Sequence, residues 1–310
     1  MTTASLNHEG EVITMIAFHT FYKRASGLLM ILPLLLLTGL TPNTSVASEQ
    51  KQNVAYHPKV SVQLWSVKDA LKEDFEGTIK AIADMGFDGV EFAGDFGPFE
   101  GKPKELKAWL KKQGLEVSGA HVAADALEGD KLDETASFYR DLGTPFLIIP
   151  MDNRAFDKDK VAEFADWLTT LSGKMMRYDM QIGYHNHAQE WEAFKDSTFY
   201  EYIAQNTPFD VVLQQDVGWT MSAGKDPKAF LKAYPCRTLT THFKVAEGLP
   251  EGKTPILGRD GANWSDLYKD AVEIGGAWWI VIEQEQYPDS MTPMEAVRAS
   301  KDGFDALVKK

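Results

Sequence analysis

Titratable side chains recur in this chain at one kind of place, the closing residues of short apolar runs. Glu91, His121, His185-Asn186-His187, Asp216, His242 with Lys244, and Glu283-Gln284-Glu285 each end or follow such a run. In an extended chain, residues two apart share a face. Gly183, His185 and His187 therefore share one, as do Val212, Gln214 and Asp216. Thr240, His242 and Lys244 do so again, and so do Val281, Glu283 and Glu285. Faces of this kind turned toward one axis would bring imidazoles and carboxylates together. Taken singly, each residue has a plainer role. A histidine at a strand end is commonly a structural hydrogen-bonding group, and an aspartate there commonly caps the next helix. The coincidence at six run ends is what argues for a site. Carboxylates buried together without a cation are costly, which points to one divalent metal ion. Oxygen and imidazole donors suit Mn²⁺, Mg²⁺, Co²⁺ or Zn²⁺. The single cysteine, Cys236, allows neither an internal disulfide nor a cysteine-based zinc site.

The elements that must position these groups follow a simple rhythm. Eight strands are expected, at Val60–Leu64, Gly89–Phe92, Glu116–His121, Phe146–Pro150, Gln181–His185, Val211–Asp216, Thr238–Lys244 and Trp278–Glu283. They recur roughly every 30 residues, the length of a strand-loop-helix unit. Helical spacing appears between them. Phe75, Ile79, Ile82 and Met85 mark one face, with Gly86 as its C-terminal stop. Leu106, Trp109 and Leu110 mark a shorter helix. Val161, Phe164, Trp167, Leu168, Leu171 and Met175 mark the clearest one, and Met294, Val297, Phe304 and Leu307 the last. The connection near Ser197–Asn206 carries a weaker pattern. Eight strands alternating with helices predict an α/β fold, a closed (β/α)8 TIM barrel. Catalytic groups of such barrels sit at the C-terminal strand ends, which is where the titratable residues fall. No glycine-rich phosphate fingerprint follows the first strand, so a dinucleotide-binding domain is not supported.

The bulk numbers agree with a globular domain. The chain has 310 residues, 44% hydrophobic and 25% charged. Its formal net charge of -13 disfavours nucleic acid as a partner, because phosphates would be repelled. Lys23 and Arg24 precede an apolar run from Leu28 to Leu40, followed by Ser45-Val46-Ala47. The run is about 13 residues, short of the 20 or so that span a bilayer. This predicts a signal peptide over residues 1–47, a linker over 48–59 and a barrel domain over 60–310. The mature protein would be periplasmic or secreted, with no membrane attachment. Trp65, Phe92, Trp191 and Trp219 lie just past strand ends, where an aromatic ring can stack on a sugar or simply fill a core. Trp219 is the stronger stacking candidate, with Trp65 beside it. Arg259 lies in the glycine-containing loop Leu257-Gly258-Arg259-Asp260-Gly261, expected to cover the site, and Glu285 is a further candidate substrate contact.

Six segments carry a family resemblance. They are Val62-Gln63-Leu64-Trp65-Ser66-Val67, Met85-Gly86-Phe87-Asp88-Gly89-Val90-Glu91, Gly183-Tyr184-His185-Asn186-His187, Gln215-Asp216-Val217-Gly218-Trp219, Thr241-His242-Phe243-Lys244 and Val281-Ile282-Glu283-Gln284-Glu285. In this order they resemble the sugar phosphate isomerase/epimerase family of xylose isomerase-like TIM barrels. The likeness runs from Val60 to the C-terminus. The resemblance implies a metal held by four residues from strands five to eight. Asp216 and His242 match the second and third positions. Glu283 matches the fourth, with Glu285 as its neighbour and alternative. His185 stands at the first, where many members have Glu. Those members move a proton between two glutamates, so this chain departs from simple two-carboxylate epimerisation. The His185-Asn186-His187 strand resembles the branch related to inosose dehydratases and 3-keto-glycoside lyases.

The chemistry implied is proton abstraction beside the carbonyl of a non-phosphorylated sugar or keto-sugar. Return of the proton makes an isomerase or epimerase; loss of a β-substituent makes a lyase or dehydratase. Glu91, His121, His187 and Lys244 are the candidate acid and base groups. Two other classes compete. A multi-zinc hydrolase of the endonuclease IV type fits poorly with seven histidines and an acidic balance. An exported sugar-binding protein would ordinarily have two lobes, whereas the β/α series here is continuous.

Overall fold

A computed structural model describes residues 57–288 and 290–308. The expected signal peptide and residues 48–56 of the expected linker lie outside the described residues. Eight parallel strands line up as β1 (Lys59–Gln63), β2 (Gly89–Phe92), β3 (Glu116–His121), β4 (Phe146–Ile149), β5 (Gln181–His185), β6 (Val212–Gln214), β7 (Thr240–Phe243) and β8 (Trp279–Ile282). Their spatial order is 6-5-4-3-2-1-8-7. The remaining seam, between β6 and β7, is joined by a parallel bridge between Asp216 and His242. His242 N–H donates to Gln215 O there at 3.0 Å. The fold is the expected (β/α)8 barrel.

Three of the strands match their sequence-based bounds and the others differ by one or two residues at an end. The shortening of β6 has a cause. Its expected end, Asp216, has its backbone N–H taken by the Asn186 side chain at 3.0 Å and its own carboxylate turned to cap the next helix. β1 begins one residue early, at Lys59, inside the expected linker.

The expected helices form Phe75–Asp84, Pro103–Lys112, Val161–Met175, Phe199–Gln205 and Pro293–Val308. Gly86 takes φ +79, as a left-handed stop requires. Asp74 starts the first of these helices by accepting from the Gly77 N–H at 2.9 Å. Thr198 starts the fourth: its hydroxyl accepts from the Glu201 N–H at 3.3 Å and donates to the Glu201 carboxylate at 2.9 Å. Five further helices, Lys131–Leu142, Val217–Ser222, Pro227–Ala233, Trp264–Glu273 and the short Lys68–Glu73, add to those expected. The first buries Leu132, Ala136, Tyr139 and Leu142, a face diluted by alanine and tyrosine.

Strand parity divides the core in two. The main apolar cluster lies between strands and helices. A smaller one, Phe146, Ile148, Val212, Trp279 and Val281, belongs to inward-facing strand positions. Along β6 and β8 the next inward residues after Val212 and Val281 are Gln214 and Glu283, so polarity begins one layer above that plug. Among the described residues no helix is long and apolar enough to cross a membrane.

Candidate metal centre

The polar layer starts with Gln63, Glu91 and Gln214, none of them exposed. Gln63 pairs with Glu91 in the β1–β2 register, and Glu91 with Gly119 across β2–β3. Gly119 is what gives the carboxylate its space: a Cβ there would lie 2.9 Å from Glu91 Oε1. Glu91 accepts from Gln63 Nε2 and Gln214 Nε2, each at 2.7 Å, and faces His242 Nε2 at 2.5 Å. Burial pushes its pKa up, but His242 and His121 beside it prevail and hold it below the ordinary value. Glu91 is thus a buried carboxylate ringed by donors.

Above it, β5 through β8 contribute one side chain each. A ligand-capable atom from each of His185, Asp216, His242 and Glu283 lies within 4.8 Å of all the others. His121, His185 and His242 form a second, overlapping group of the same tightness. The stacked rings of His121 and His242 lie 5.1 Å apart. His242 Nδ1 meets Glu283 Oε2 at 3.0 Å, so its imidazole is held between two carboxylates. Burial lowers its pKa, yet Glu91 and Glu283 overcome that and raise it to about 10. His185 goes the other way. Burial and the neighbouring His242 and His121 push it well below the ordinary range, so it is neutral.

Asp216 supplies the test of whether a cation fits. Its Oδ1 accepts from the Trp219 N–H at 2.7 Å, capping Val217–Ser222. Its Oδ2 is fully buried and has no hydrogen-bond partner. His185 Nε2 at 3.8 Å and His242 Nδ1 at 3.9 Å are too far to satisfy it. Burial lifts the Asp216 pKa to about 7, opposed chiefly by Lys244. A buried, unsatisfied carboxylate oxygen facing imidazole nitrogens and a second carboxylate is a donor set for a divalent ion.

A cavity of about 550 Å³ opens above this cluster, lined by Trp65, Ala93, Gly94, His121, Ala123, Pro150, Met151, His185, His187, Lys244, Glu283 and Glu285. Burial, with Lys244 nearby, lowers the His187 pKa to about 4, so its imidazole is a free base at neutral pH. Lys244 is also buried, which disfavours its charge, but Glu283, Asp216 and Glu285 outweigh that and keep it protonated. It pairs directly with Glu285 and lies 3.8 Å from Glu283 Oε2. Gly218 lets the following helix approach this lysine, since a Cβ there would meet the Lys244 carbonyl oxygen at 2.6 Å.

The family model for xylose isomerase-like TIM barrels matches residues 79–309. The chain belongs to this family. An inosose dehydratase from Lactiplantibacillus plantarum is 23% identical over 251 residues, covering 69% of this chain and 82% of that one. A sugar phosphate isomerase/epimerase structure from Parabacteroides distasonis superposes with a TM-score of 0.67 at 22% identity, over 82% of this chain and 96% of the other. The probable 3-DHS dehydratase of Bacillus anthracis gives 0.59 at 13% identity, over 80% and 98%.

Within this xylose isomerase-like barrel, the residues expected from sequence are distributed as follows. His185, Asp216, His242 and Glu283 are brought together. His121, His187, Lys244, Glu285 and Trp65 line the cavity. Glu91 does not; it lies beneath His242 with its oxygens committed, a place for holding the imidazole rather than meeting a substrate. Trp219 stands behind the lining, 5.5 Å from the His187 ring and with Lys244 Nζ 4.3 Å from its own. Arg259 is a correction. It is exposed and lines a separate groove with Asp302, Gly303, Ala306 and Leu307, because its loop packs along the C-terminal helix. Phe92 and Trp191 are core residues, the latter 5.3 Å from both Tyr200 and Phe230. Sequence reasoning missed Gln63, Gln214 and Asn186. Their neutral side chains carry no signal except strand parity, which places Gln214 on the Asp216 face.

Proposed function

We propose that the protein is a divalent-metal-dependent lyase or dehydratase acting on a non-phosphorylated keto-sugar, by removal of the proton beside its carbonyl. The observation that carries this is the convergence of His185, Asp216, His242 and Glu283 around the unpartnered Asp216 Oδ2, at the floor of the cavity. Mn²⁺, Mg²⁺, Co²⁺ or Zn²⁺ held by these four would supply positive charge for the oxygens of the substrate's carbonyl as an enolate develops.

The remaining chemistry belongs to side chains of the lining. Neutral His187 takes the proton from the carbon beside the carbonyl. The electron pair forms a carbon–carbon double bond as the β carbon–oxygen bond breaks. Protonated Lys244, held by Glu285, gives its proton to the departing oxygen. Two observations support elimination over simple epimerisation. His185 stands where a two-glutamate relay would need a carboxylate. A second cavity of about 580 Å³ adjoins the first through Trp65, Ala93 and Gly94, and gives a leaving group room. Among the described residues the lining holds no arginine, and this, with the pairing of Lys244 with carboxylates, favours a substrate without phosphate. Export fits that preference, on the strength of Lys23, Arg24, the Leu28–Leu40 run and Ser45-Val46-Ala47.

A second reading is isomerisation or epimerisation, supported by the presence of two imidazoles, His121 and His187, on the cavity wall. Incubating metal-loaded protein with ketoses and 3-keto-glycosides in deuterated water separates the two. An unsaturated product supports the lyase. Deuterium in an intact sugar supports the isomerase. Sugar binding without either would point to a binding protein and end both readings.

A further inference from the structure

Gln214 lies fully buried under the three histidines. One end of its amide is 2.7 Å from Glu91 Oε1 and 3.2 Å from Thr240 Oγ1. The other is 2.8 Å from His121 Nε2 and 3.1 Å from His185 Nδ1. A carboxylate only accepts, so the end on Glu91 must be the NH₂ group. The end on the histidines is then the carbonyl oxygen, which also only accepts. Both nitrogens facing it must carry hydrogen. A neutral imidazole has a single N–H, so the bare nitrogen is Nε2 in His185 and Nδ1 in His121.

We propose that Gln214, oriented by Glu91, is a positioning residue that selects these two tautomers. It makes His185 present Nε2 toward Asp216 and a bound metal, and it leaves Nδ1 as the proton-accepting nitrogen of His121. His242 is different: it faces Glu91 at Nε2 and Glu283 at Nδ1, so without metal both its nitrogens carry hydrogen, and the one on Nδ1 is the one a metal would displace. Only the ligand half of this inference rests on the metal reading above; the tautomers are set by protein atoms alone.

The test is nitrogen-15 NMR of histidine-labelled protein at mildly alkaline pH, without metal and then with zinc. In the metal-free protein His185 should show its one-bond proton coupling at Nδ1, and His121 at Nε2. With zinc, His185 Nδ1 should keep its hydrogen while the Nε2 signal moves. Gln214→Leu should scramble the His185 tautomer and weaken zinc binding about 10–100-fold, the usual effect of losing such a partner. Hydrogen on His185 Nε2 in the unaltered protein overturns the proposal, whether or not the variant folds. So does a folded Gln214→Leu with unchanged tautomers and zinc affinity. Correct tautomers with no zinc bound would uphold the role of Gln214 and refute the metal reading separately.

Discussion

Asp216 divides its labour between its two oxygens. Oδ1 holds a helix N-terminus and Oδ2 is left bare among imidazoles. Asp216→Asn can keep the first role and not the second. It should retain the fold and lose metal by more than the 10–100-fold typical of supporting partners, read by titration calorimetry. The protonation states give a direction for pH. Without metal, the Asp216 pKa is raised to about 7 and that of His242 to about 10, so at pH 7 His242 holds a proton and Asp216 about half of one, which a metal must displace. Affinity should therefore fall as pH drops below 7, with protons released on binding. Calorimetry in two buffers of different ionisation heat checks this, and proton uptake would contradict it. His187 carries a different expectation. His187→Ala should lower kcat by about 10²–10⁴-fold with metal content unchanged, if it is the base.

At the scale of elements, much of this arrangement could be read from the chain and some could not. Short apolar runs located all eight strands, because a barrel strand is buried on both faces. Parity then put Asp216, His242 and Glu283 on inward faces. Parity reports a side chain's face and not its depth, which is why Glu91 read as a reacting group. It sits one layer lower, opposite Gly119. Arg259 was misplaced for a related reason: loop residues have no period, so nothing local tells which surface the loop will cover. The helix Lys131–Leu142 escaped because its buried face mixes Ala136 and Tyr139 with leucines. The Gly119 position makes a testable point. Gly119→Ala would press a methyl group against a carboxylate oxygen already held by Gln214. It should cost about 1–3 kcal/mol in urea unfolding, as overpacking does, and weaken metal binding by displacing the support of His242. Unchanged metal affinity would mean that Glu91 can shift without consequence.

For the whole molecule, the four metal-facing residues come from four successive strands, β5 to β8, and the β6–β7 seam is bridged at two of them, Asp216 and His242. A metal there would tie together the least continuous part of the barrel. Binding to the folded state alone stabilises by about 2.7 kcal/mol at a free metal concentration of 100 Kd. For a domain of this size that is a rise in Tm of roughly 5–10 °C over chelator-treated protein. The gap should depend on pH with a definite sign. Asp216 has a folded pKa above its unfolded value, so its contribution to the metal-free fold is lost as pH rises from about 4 to about 7. His242 is raised as well; its contribution is full below about 6.5 and is lost as pH rises through about 10. Glu91 and Glu283 are lowered, so their stabilising effect is complete above the ordinary carboxylate range and is lost only in more acid solution. His121, His185 and His187 are lowered and act oppositely, adding stability as pH rises toward about 6.5, so the stripped protein has no single trend. Metal binding, however, tightens from about pH 5 to 8, because Asp216 and His242 lose the protons that it must displace. The difference in Tm between loaded and stripped protein should widen steadily across that interval in differential scanning calorimetry. A gap that stays constant or narrows would show that the buried carboxylate and imidazole are not where the metal's stabilisation enters.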